Sequence, residues 1–213
     1  MKLNLSKVQF WTFITICVYL VGLTGLLWDR THDLFLLLTP LNILFAYFVV
    51  FLFHKKFDFT FFMLAAFIFL LGMTAEIIGV KTGLVFGEYE YGDTLGLQIL
   101  NVPVLIGLNW FFLVYCVYHF SKQFFKKDMM VILFSVICLI IYDMVLESPA
   151  IAMNMWSWDG KSYPPIHNFI AWGVLGLIMT SVFTKKINIQ KNNMAINMFQ
   201  IQFIFFLLLT IFL

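Results

Sequence analysis

The sequence predicts an all-α fold, a polytopic membrane helix bundle with seven transmembrane helices. Of its 213 residues, 62% are hydrophobic and only 11% are charged, and phenylalanine alone occurs 27 times. Soluble domains carry about 25% charged residues, and a water-soluble protein of this size could not bury so much apolar surface. Seven apolar stretches approach the roughly 20 residues that a helix needs to cross a bilayer. The length predicts a single integral membrane domain, residues 1–213.

Each predicted span ends where charged, Gly-rich or Pro-rich residues interrupt an apolar run. The first run follows Lys7 directly and has no small-residue cleavage site, so we interpret it as a retained helix and not as a signal peptide. The predicted spans are Val8–Trp28, Leu34–Phe53, Phe59–Val80, Val102–Phe120, Met129–Glu147, His167–Phe183 and Ala195–Leu213.

Basic residues predict the orientation of the bundle. With seven spans, ten of the thirteen lysines and arginines fall on one side, and basic residues favour cytoplasmic loops. The N-terminus is therefore expected inside and the C-terminus outside. The ten are Lys2, Lys7, Lys55, Lys56, Lys122, Lys126, Lys127, Lys185, Lys186 and Lys191, and the other three are Arg30, Lys81 and Lys161.

Polar residues within the spans cluster toward the predicted outer side. Glu76 lies about one turn before the outer end of span three, and Asp143 and Glu147 form an i,i+4 pair on one face of span five. Asn109 lies about two turns into span four, and Asn168 begins span six. Ionisable groups inside a bilayer are costly and by default functional. A site is therefore expected in the outer half of the membrane, between an inert inner half and water.

Two connectors on the predicted outer side are rich in glycine, proline and aromatic residues. Glycine is so frequent in residues 81–101 that a continuous helix is disfavoured, which predicts a turn-rich or re-entrant cap. Gly83 and Gly87 are expected to need backbone angles or close contacts that a side chain would obstruct. The connector aromatics either form a belt at the membrane interface or line a ligand site; they include Tyr89, Tyr91, Trp156 and Trp158.

Two interpretations remain open for the three carboxylic acids. As structural groups they would hydrogen-bond neighbouring amides between helices. As catalytic groups, a carboxyl in an apolar site would hold its proton and donate it to an apolar substrate, whereas a better solvated one would activate water. The deeper Asp143 or Glu76 is then expected to donate the proton and Glu147, at the mouth of the site, to activate water. Aromatic faces beside them would stabilise a carbocation.

Cysteines and histidines indicate neither a disulfide nor a metal site. Cys17, Cys116 and Cys138 fall within apolar spans, where a thiol packs as a small hydrophobe. The four histidines lack the spacing of metal ligands, so no metal site is expected. The net charge of +2, with no basic block outside the helix junctions, indicates no nucleic-acid partner.

Nearly half of the chain, from Glu76 to Trp172, carries a distinctive set of motifs. It includes the stretches EIIGVKTGLVFGEYEYGDTLG, NVPVLIGLNW and YDMVLESPAIAMNMWSWDGKSYPPIHNFIAW. These stretches resemble the membrane carotenoid biosynthesis proteins that hydrate acyclic carotenoid ends, the CruF-type gamma-carotene hydratases and the archaeal bisanhydrobacterioruberin hydratases. Two positions depart from the family pattern, since Glu147-Ser148 and Ala171-Trp172 stand where an acid-Pro pair and a Gly-Trp pair are expected.

The resemblance implies an enzyme that adds water across the terminal (1,2) double bond of an acyclic carotenoid without a cofactor. It implies a lipophilic carotenoid substrate within membrane lipid, other carotenoid biosynthesis enzymes as partners, and the cytoplasmic membrane of a prokaryote as location. The candidate catalytic residues are Glu76, Asp143 and Glu147. The candidate substrate-binding residues are Tyr89, Tyr91, Asn109, Trp110, Tyr142, Trp156, Trp158, Asn168 and Trp172.

Other functions make different demands on the same residues. A membrane lycopene-type cyclase also begins by protonating a terminal double bond, and differs in excluding water from the cation. A small transporter or proton relay would need polar residues through the whole depth of the bilayer, which the inner half lacks. A retinal-binding protein would need a lysine in the last span, and Ala195–Leu213 contains none. The cyclase and the transporter remain as alternatives.

Overall fold

Seven long helices make up the computed structural model, which describes residues 6–160, 163–187 and 189–213. All seven are long and apolar enough to cross a membrane. The prediction of an all-α bundle with seven transmembrane helices is confirmed, and the chain is an integral membrane protein. The helices are α1 Lys7–Leu27, α2 His32–Phe51, α3 Phe59–Thr82, α4 Val104–Ser121, α5 Asp128–Ala152, α6 Ile166–Lys186 and α7 Asn193–Phe212.

Local side-chain and backbone chemistry sets the ends of several helices. At the start of α1, the Ser6 hydroxyl accepts from the Gln9 amide at 3.2 Å, and the Gln9 side chain accepts from the Ser6 amide at 2.9 Å. The Asp58 carboxylate accepts from the Phe61 amide at 2.9 Å and so begins α3. The helix ends at Gly83, whose φ of 67° is left-handed. The special backbone angle expected at Gly83 is thus confirmed, and the chain turns sharply after α3.

Helix α5 continues beyond its predicted end. The predicted span stopped at Glu147 because Ser148 and Pro149 follow, yet the helix runs to Ala152. Pro149 has no N–H to donate to the Val145 carbonyl one turn earlier. The Thr210 hydroxyl of α7 lies 2.9 Å from that carbonyl and 2.9 Å from the Phe206 carbonyl of its own helix, and its one proton can serve either. Glu147 is consequently more than one turn inside a helix and not at its end.

Two short antiparallel sheets occur in the described part of the connectors, where the sequence predicted a turn-rich or re-entrant cap for residues 81–101 and no strands. One pairs β1 (Tyr89–Tyr91) with β4 (Trp156–Trp158), and the other pairs β2 (Gln98–Ile99) with β3 (Val102–Pro103). In the first sheet, Tyr89 lies opposite Trp158 and Tyr91 lies opposite Trp156. Side chains alternate between the two faces of a strand. All four aromatic rings therefore share one face, which is the face toward the helices.

Helix α4 is the centre of the bundle. Its residues 110–118 are all buried, and it packs against α3, α5, α6 and α7. Two glycines bring α3 and α4 close together. A Cβ on Gly72 would lie 2.6 Å from the Trp110 ring, and one on Gly107 would lie 2.4 Å from Met73. This close approach seats the Trp110 indole directly beside α3.

Ten lysines were predicted to lie on the inner side of the membrane. The nine of them that the structure describes lie at one end of the bundle, which we name the basic end. A buried network joins the helices there, in which the Asn192 amide donates to the Val50 carbonyl at 2.9 Å and to the Tyr115 hydroxyl at 3.0 Å. Lys2 and Lys161, which also entered the orientation prediction, lie outside the described residues. The orientation of the basic end in the membrane remains a prediction.

Candidate active site

The three carboxylic acids surround one cavity at the end of the bundle opposite the basic end. The cavity has a volume of about 530 Å³, and the acids on its wall are almost fully buried, with Asp143 only 1% exposed. All twelve residues predicted from the sequence line it. They are Glu76, Tyr89, Tyr91, Asn109, Trp110, Tyr142, Asp143, Glu147, Trp156, Trp158, Asn168 and Trp172.

Glu76 is held by three hydrogen-bond donors from two parts of the chain. The Trp110 indole of α4 donates to its Oε1 at 3.0 Å, and the hydroxyls of Tyr89 and Tyr91 donate to its Oε2 at 2.6 and 2.8 Å. The pKa of Tyr89 and that of Tyr91 are raised well above the usual value for a phenol. Burial is the larger cause, and the nearby charge of Glu76 is the second. Both tyrosines therefore keep their protons and act as donors.

Glycines allow the connector to fold tightly over α3. A Cβ on Gly79 would lie 3.0 Å from the Tyr89 hydroxyl, so a side chain there would obstruct the contact between Tyr89 and Glu76. Gly87 has a φ of 113°, and a Cβ on it would lie 2.5 Å from Pro165 of the other connector. The strain expected for a side chain at Gly87 is confirmed. The two connectors thus form one cap over the cavity.

Glu147 is held by a second set of three donors. The indoles of Trp156 and Trp158 donate to its Oε2 at 3.0 and 2.9 Å, and the Asn168 amide donates to its Oε1 at 3.1 Å. Indole N–H groups can only donate, and an ionised carboxylate can only accept. The expectation that Glu147 is better solvated than the other acids is wrong, because α5 continues past it and the tryptophans cover it to 5% exposure, the same as Glu76.

Asp143 has a sparser environment than the other two acids. Its Oδ2 accepts one hydrogen bond, at 2.6 Å, from the same Asn168 nitrogen that binds Glu147. Among the described residues, none donates a hydrogen bond to its Oδ1, while the residue lines the cavity. Asp143 and Glu147 lie one helical turn apart on the same face of α5. Asn168 therefore holds a pair of carboxyl groups with unlike surroundings.

Aromatic rings form most of the wall near the acids. The rings of Trp110 and Trp172 lie 4.2 Å apart between centroids at an angle of 33°. In the cap, the Tyr89 and Trp158 rings lie 5.2 Å apart. The cap aromatics direct their polar atoms at Glu76 and Glu147 and line the cavity. These aromatic residues were expected either to form a belt at the membrane interface or to line a ligand site, and the geometry matches the second.

The remainder of the cavity is apolar and opens sideways. Val21 of α1 and Leu41 of α2 line it, and 58% and 60% of their surfaces are exposed. Exposed apolar side chains such as these border lipid in a membrane. A hydrophobic molecule could therefore enter the cavity from the bilayer without crossing water.

Sequence reasoning missed the contribution of α1, α2 and α7 to this cavity. These helices are apolar on nearly all sides, so periodicity gave no indication of the inward face. Asn42 and Gln202 were the available signals, because both are amides inside apolar spans. The wall residues from these helices include Tyr19, Val21, Leu26, Phe35, Leu41, Asn42, Gln202, Phe205 and Phe206.

The described residues contain no group of three or more His, Cys, Asp and Glu side chains arranged to hold a metal ion. The carboxyl groups at the cavity instead face hydrogen-bond donors from the protein. The arrangement can hold a proton on one carboxyl and a negative charge on another beside an apolar chamber.

Known proteins that are similar to this chain indicate its family. No solved structure matches the chain. A curated relative, the bisanhydrobacterioruberin hydratase of Haloarcula japonica, is 26% identical over 115 residues, which cover 51% of this chain and 39% of the relative. The chain thus matches well under half the length of that protein. The family model described as "Carotenoid biosynthesis protein" matches residues 35–213. The chain therefore belongs to the carotenoid biosynthesis protein family.

Proposed function

We propose that this membrane protein is a carotenoid hydratase, which adds water across the terminal (1,2) double bond of an acyclic carotenoid end group. The family gives the chain a role in carotenoid biosynthesis, and a curated relative bears the name of a hydratase. The observation that carries the proposal is the pair of carboxyl groups on α5, held in unlike surroundings by one amide at the end of an apolar cavity.

Asp143 is the proton donor in this proposal. Its Oδ1 accepts no hydrogen bond from the described residues and belongs to a side chain on the cavity wall, so a proton on that atom can reach a bound double bond. Glu76 and Glu147 each accept three hydrogen bonds, which suits ionised carboxylates that carry no proton. The proton of Asp143 passes to the less substituted carbon of the double bond, and the tertiary carbon becomes a cation.

The surroundings of the cavity suit such a cation. Rings of Trp110, Trp172 and Tyr91 line the chamber, and a cation over an aromatic face is stabilised by about 0.5–2 kcal/mol. Glu76 adds a fixed negative charge on the same wall. Its three hydrogen bonds also hold the cap tyrosines in place, so it serves as both anion and anchor.

Glu147 accepts the proton that water releases. Water attacks the tertiary carbon, one of its protons goes to the Glu147 carboxylate, and the product is a tertiary alcohol. The sum is the addition of one water, with no oxidation or reduction. A proton then returns from Glu147 to Asp143, one turn away on the same helix, before the next cycle.

The membrane setting follows from the same proposal. The polyene lies in the lipid and passes its end sideways into the cavity, beside Val21 and Leu41. With the basic end in the cytoplasm, the site lies in the outer half of the cytoplasmic membrane of a prokaryote. Enzymes of carotenoid biosynthesis that release their product into the same lipid would supply the substrate.

Expression in a host that makes lycopene or gamma-carotene tests the proposal. Mass spectrometry of the extracted pigments should show a product heavier by one water, and the Asp143→Asn variant at equal protein level should lack it. A pigment of unchanged mass with a shifted absorption spectrum would refute hydration in favour of cyclisation. An unchanged pigment would refute both.

A further inference from the structure

A second, smaller pocket lies on the other side of α5 from the cavity. Its volume is about 250 Å³, which is ample for several waters because one water needs about 10–15 Å³ of such space. Ser148 and Tyr163 in its wall are exposed, so the pocket opens on the protein surface. Its lining residues are Met144, Glu147, Ser148, Ile151, Tyr163, Pro164 and Phe169.

Helix geometry shows how this outer pocket relates to the cavity. Each residue of an α-helix is rotated by about 100° from the one before. Tyr142, Asp143 and Leu146 of α5 therefore share the face toward the cavity, whereas Ser148 and Ile151 share a different face, toward the outer pocket. Glu147 falls at the boundary between the two faces. Among the described residues, it alone lines both spaces.

The two spaces differ in what they admit. The cavity is lined on one side by exposed apolar side chains of α1 and α2, which suit an apolar chain and border lipid in a membrane. The outer pocket is lined by two residues with hydroxyl groups, Ser148 and Tyr163, together with Glu147. Ordered water needs two to four polar partners, and these three residues are the candidates. An apolar chain and a water molecule could thus approach Glu147 from opposite sides.

We propose that the outer pocket is the water-binding site and entry route that supplies the nucleophile, with Glu147 as the gate between water and the carotenoid cavity. This inference rests on the proposed hydratase function and deepens it. It gives a structural reason for the cation to be captured by water, since the cavity itself opens to lipid. It also assigns Ser148 and Tyr163 as water-positioning residues.

Blocking the outer pocket should separate protonation of the double bond from capture of the cation by water. Protonation of the double bond by Asp143 needs no new water in the first turnover. When water is absent, the cation loses a proton to a neighbouring carboxylate and returns to an alkene, so no net hydration occurs. If the departing proton is a different one from the proton that was added, the recovered alkene keeps the added hydrogen. Enzyme equilibrated in D₂O therefore leaves deuterium in unhydrated carotenoid.

The test uses Ser148→Cys, blocked after folding. The purified variant is equilibrated in D₂O, treated with a charged, water-soluble methanethiosulfonate, and mixed with carotenoid at stoichiometric enzyme. Hydration should fall at least tenfold on modification, while deuterium still enters the recovered substrate. Treated wild type controls for the native cysteines, and treated Ser157→Cys, exposed on β4 and part of neither pocket, controls for a modified thiol elsewhere on the cap.

Three results would overturn the proposal: a thiol at position 148 that the reagent does not reach, full hydration after complete modification, or equal loss of hydration and deuterium uptake. The last would mean that the modification distorts the whole site. Failure of the hydratase proposal is distinct, because untreated wild type would then form no alcohol at all. Ile151→Trp narrows the same pocket without a reagent and should lower hydration in the same way.

Discussion

Replacing Asp143 by asparagine removes the proposed proton donor with little change in shape. The Asp143 Oδ2 accepts from the Asn168 amide at 2.6 Å, and the side-chain oxygen of an asparagine can accept the same bond. The amide that would then face the cavity cannot release a proton to a double bond. We therefore expect normal folding and membrane insertion with a selective loss of chemistry.

The size of the loss follows from the role of the group. General acid catalysis typically contributes about 10²–10⁴-fold to a rate, which corresponds to about 3–5 kcal/mol in the barrier. Asp143→Asn should lower hydration by that factor. The initial rate of alcohol formation in isolated membranes, divided by the amount of protein on an immunoblot, measures it.

A matched control lies on the same helix. Ser135 is buried in α5, is bonded to Ser121 at 2.8 Å between hydroxyl oxygens, and is not part of the cavity wall. Ser135→Ala loses one buried hydrogen bond, worth about 1 kcal/mol of stability, and should keep its hydration rate. A loss below tenfold in Asp143→Asn, at normal protein level, would mean that this carboxyl is a structural group between helices.

Three further predictions follow from the geometry. Glu147→Gln should retain partial hydration and lose less than Asp143→Asn, because water can attack a tertiary cation without full base assistance; equal or greater loss in the same rate assay would contradict this. Gly87→Val should reduce hydration while the protein still reaches the membrane, whereas Gly160→Ala, also at positive φ but with no atom within 4 Å of an added Cβ, should keep it; equal hydration in both would make the connector a passive loop. A topology reporter fused after Leu213 should read outside and one inserted in the 122–127 loop should read inside, and finding both on one side would remove the proposed orientation.

The helices were predictable because each is an apolar run bounded by charge or by glycine and proline. The acids were predictable for a related reason. A carboxyl group inside such an apolar run is rare unless it serves a function, so Glu76, Asp143 and Glu147 are recognisable from the sequence alone. Their meeting around one cavity required only that polar groups near the same end of the helices lie close together.

The connector strands and the end of α5 were not predictable in the same way. Y-x-Y and W-x-W alternate as strand residues do, but three residues are too few to separate a strand from a turn. Pro149 indicates a helix end locally, and the hydroxyl within hydrogen-bond distance of the freed Val145 carbonyl belongs to Thr210, far away in sequence. The seclusion of Glu147 under its two tryptophans depends on both features.

The inward faces of α1 and α2 were hidden for another reason. Membrane helices are apolar toward lipid and toward a lipid-binding cavity alike, so hydrophobic periodicity does not distinguish the two. Val21 and Leu41, which line the cavity and also face outward, are the clearest examples. Packing against α7, and not residue type, decides where they lie.

The origin of the atoms added to the carotenoid tests the central claim most directly. Membranes containing the protein are supplied with an acyclic carotenoid in D₂O enriched in ¹⁸O, under air, and the product is analysed by mass spectrometry. Protonation followed by water capture predicts one ¹⁸O in the alcohol and one non-exchangeable deuterium on the carbon next to it. An oxygen that comes from O₂, or an alcohol without that deuterium, would contradict acid-catalysed hydration.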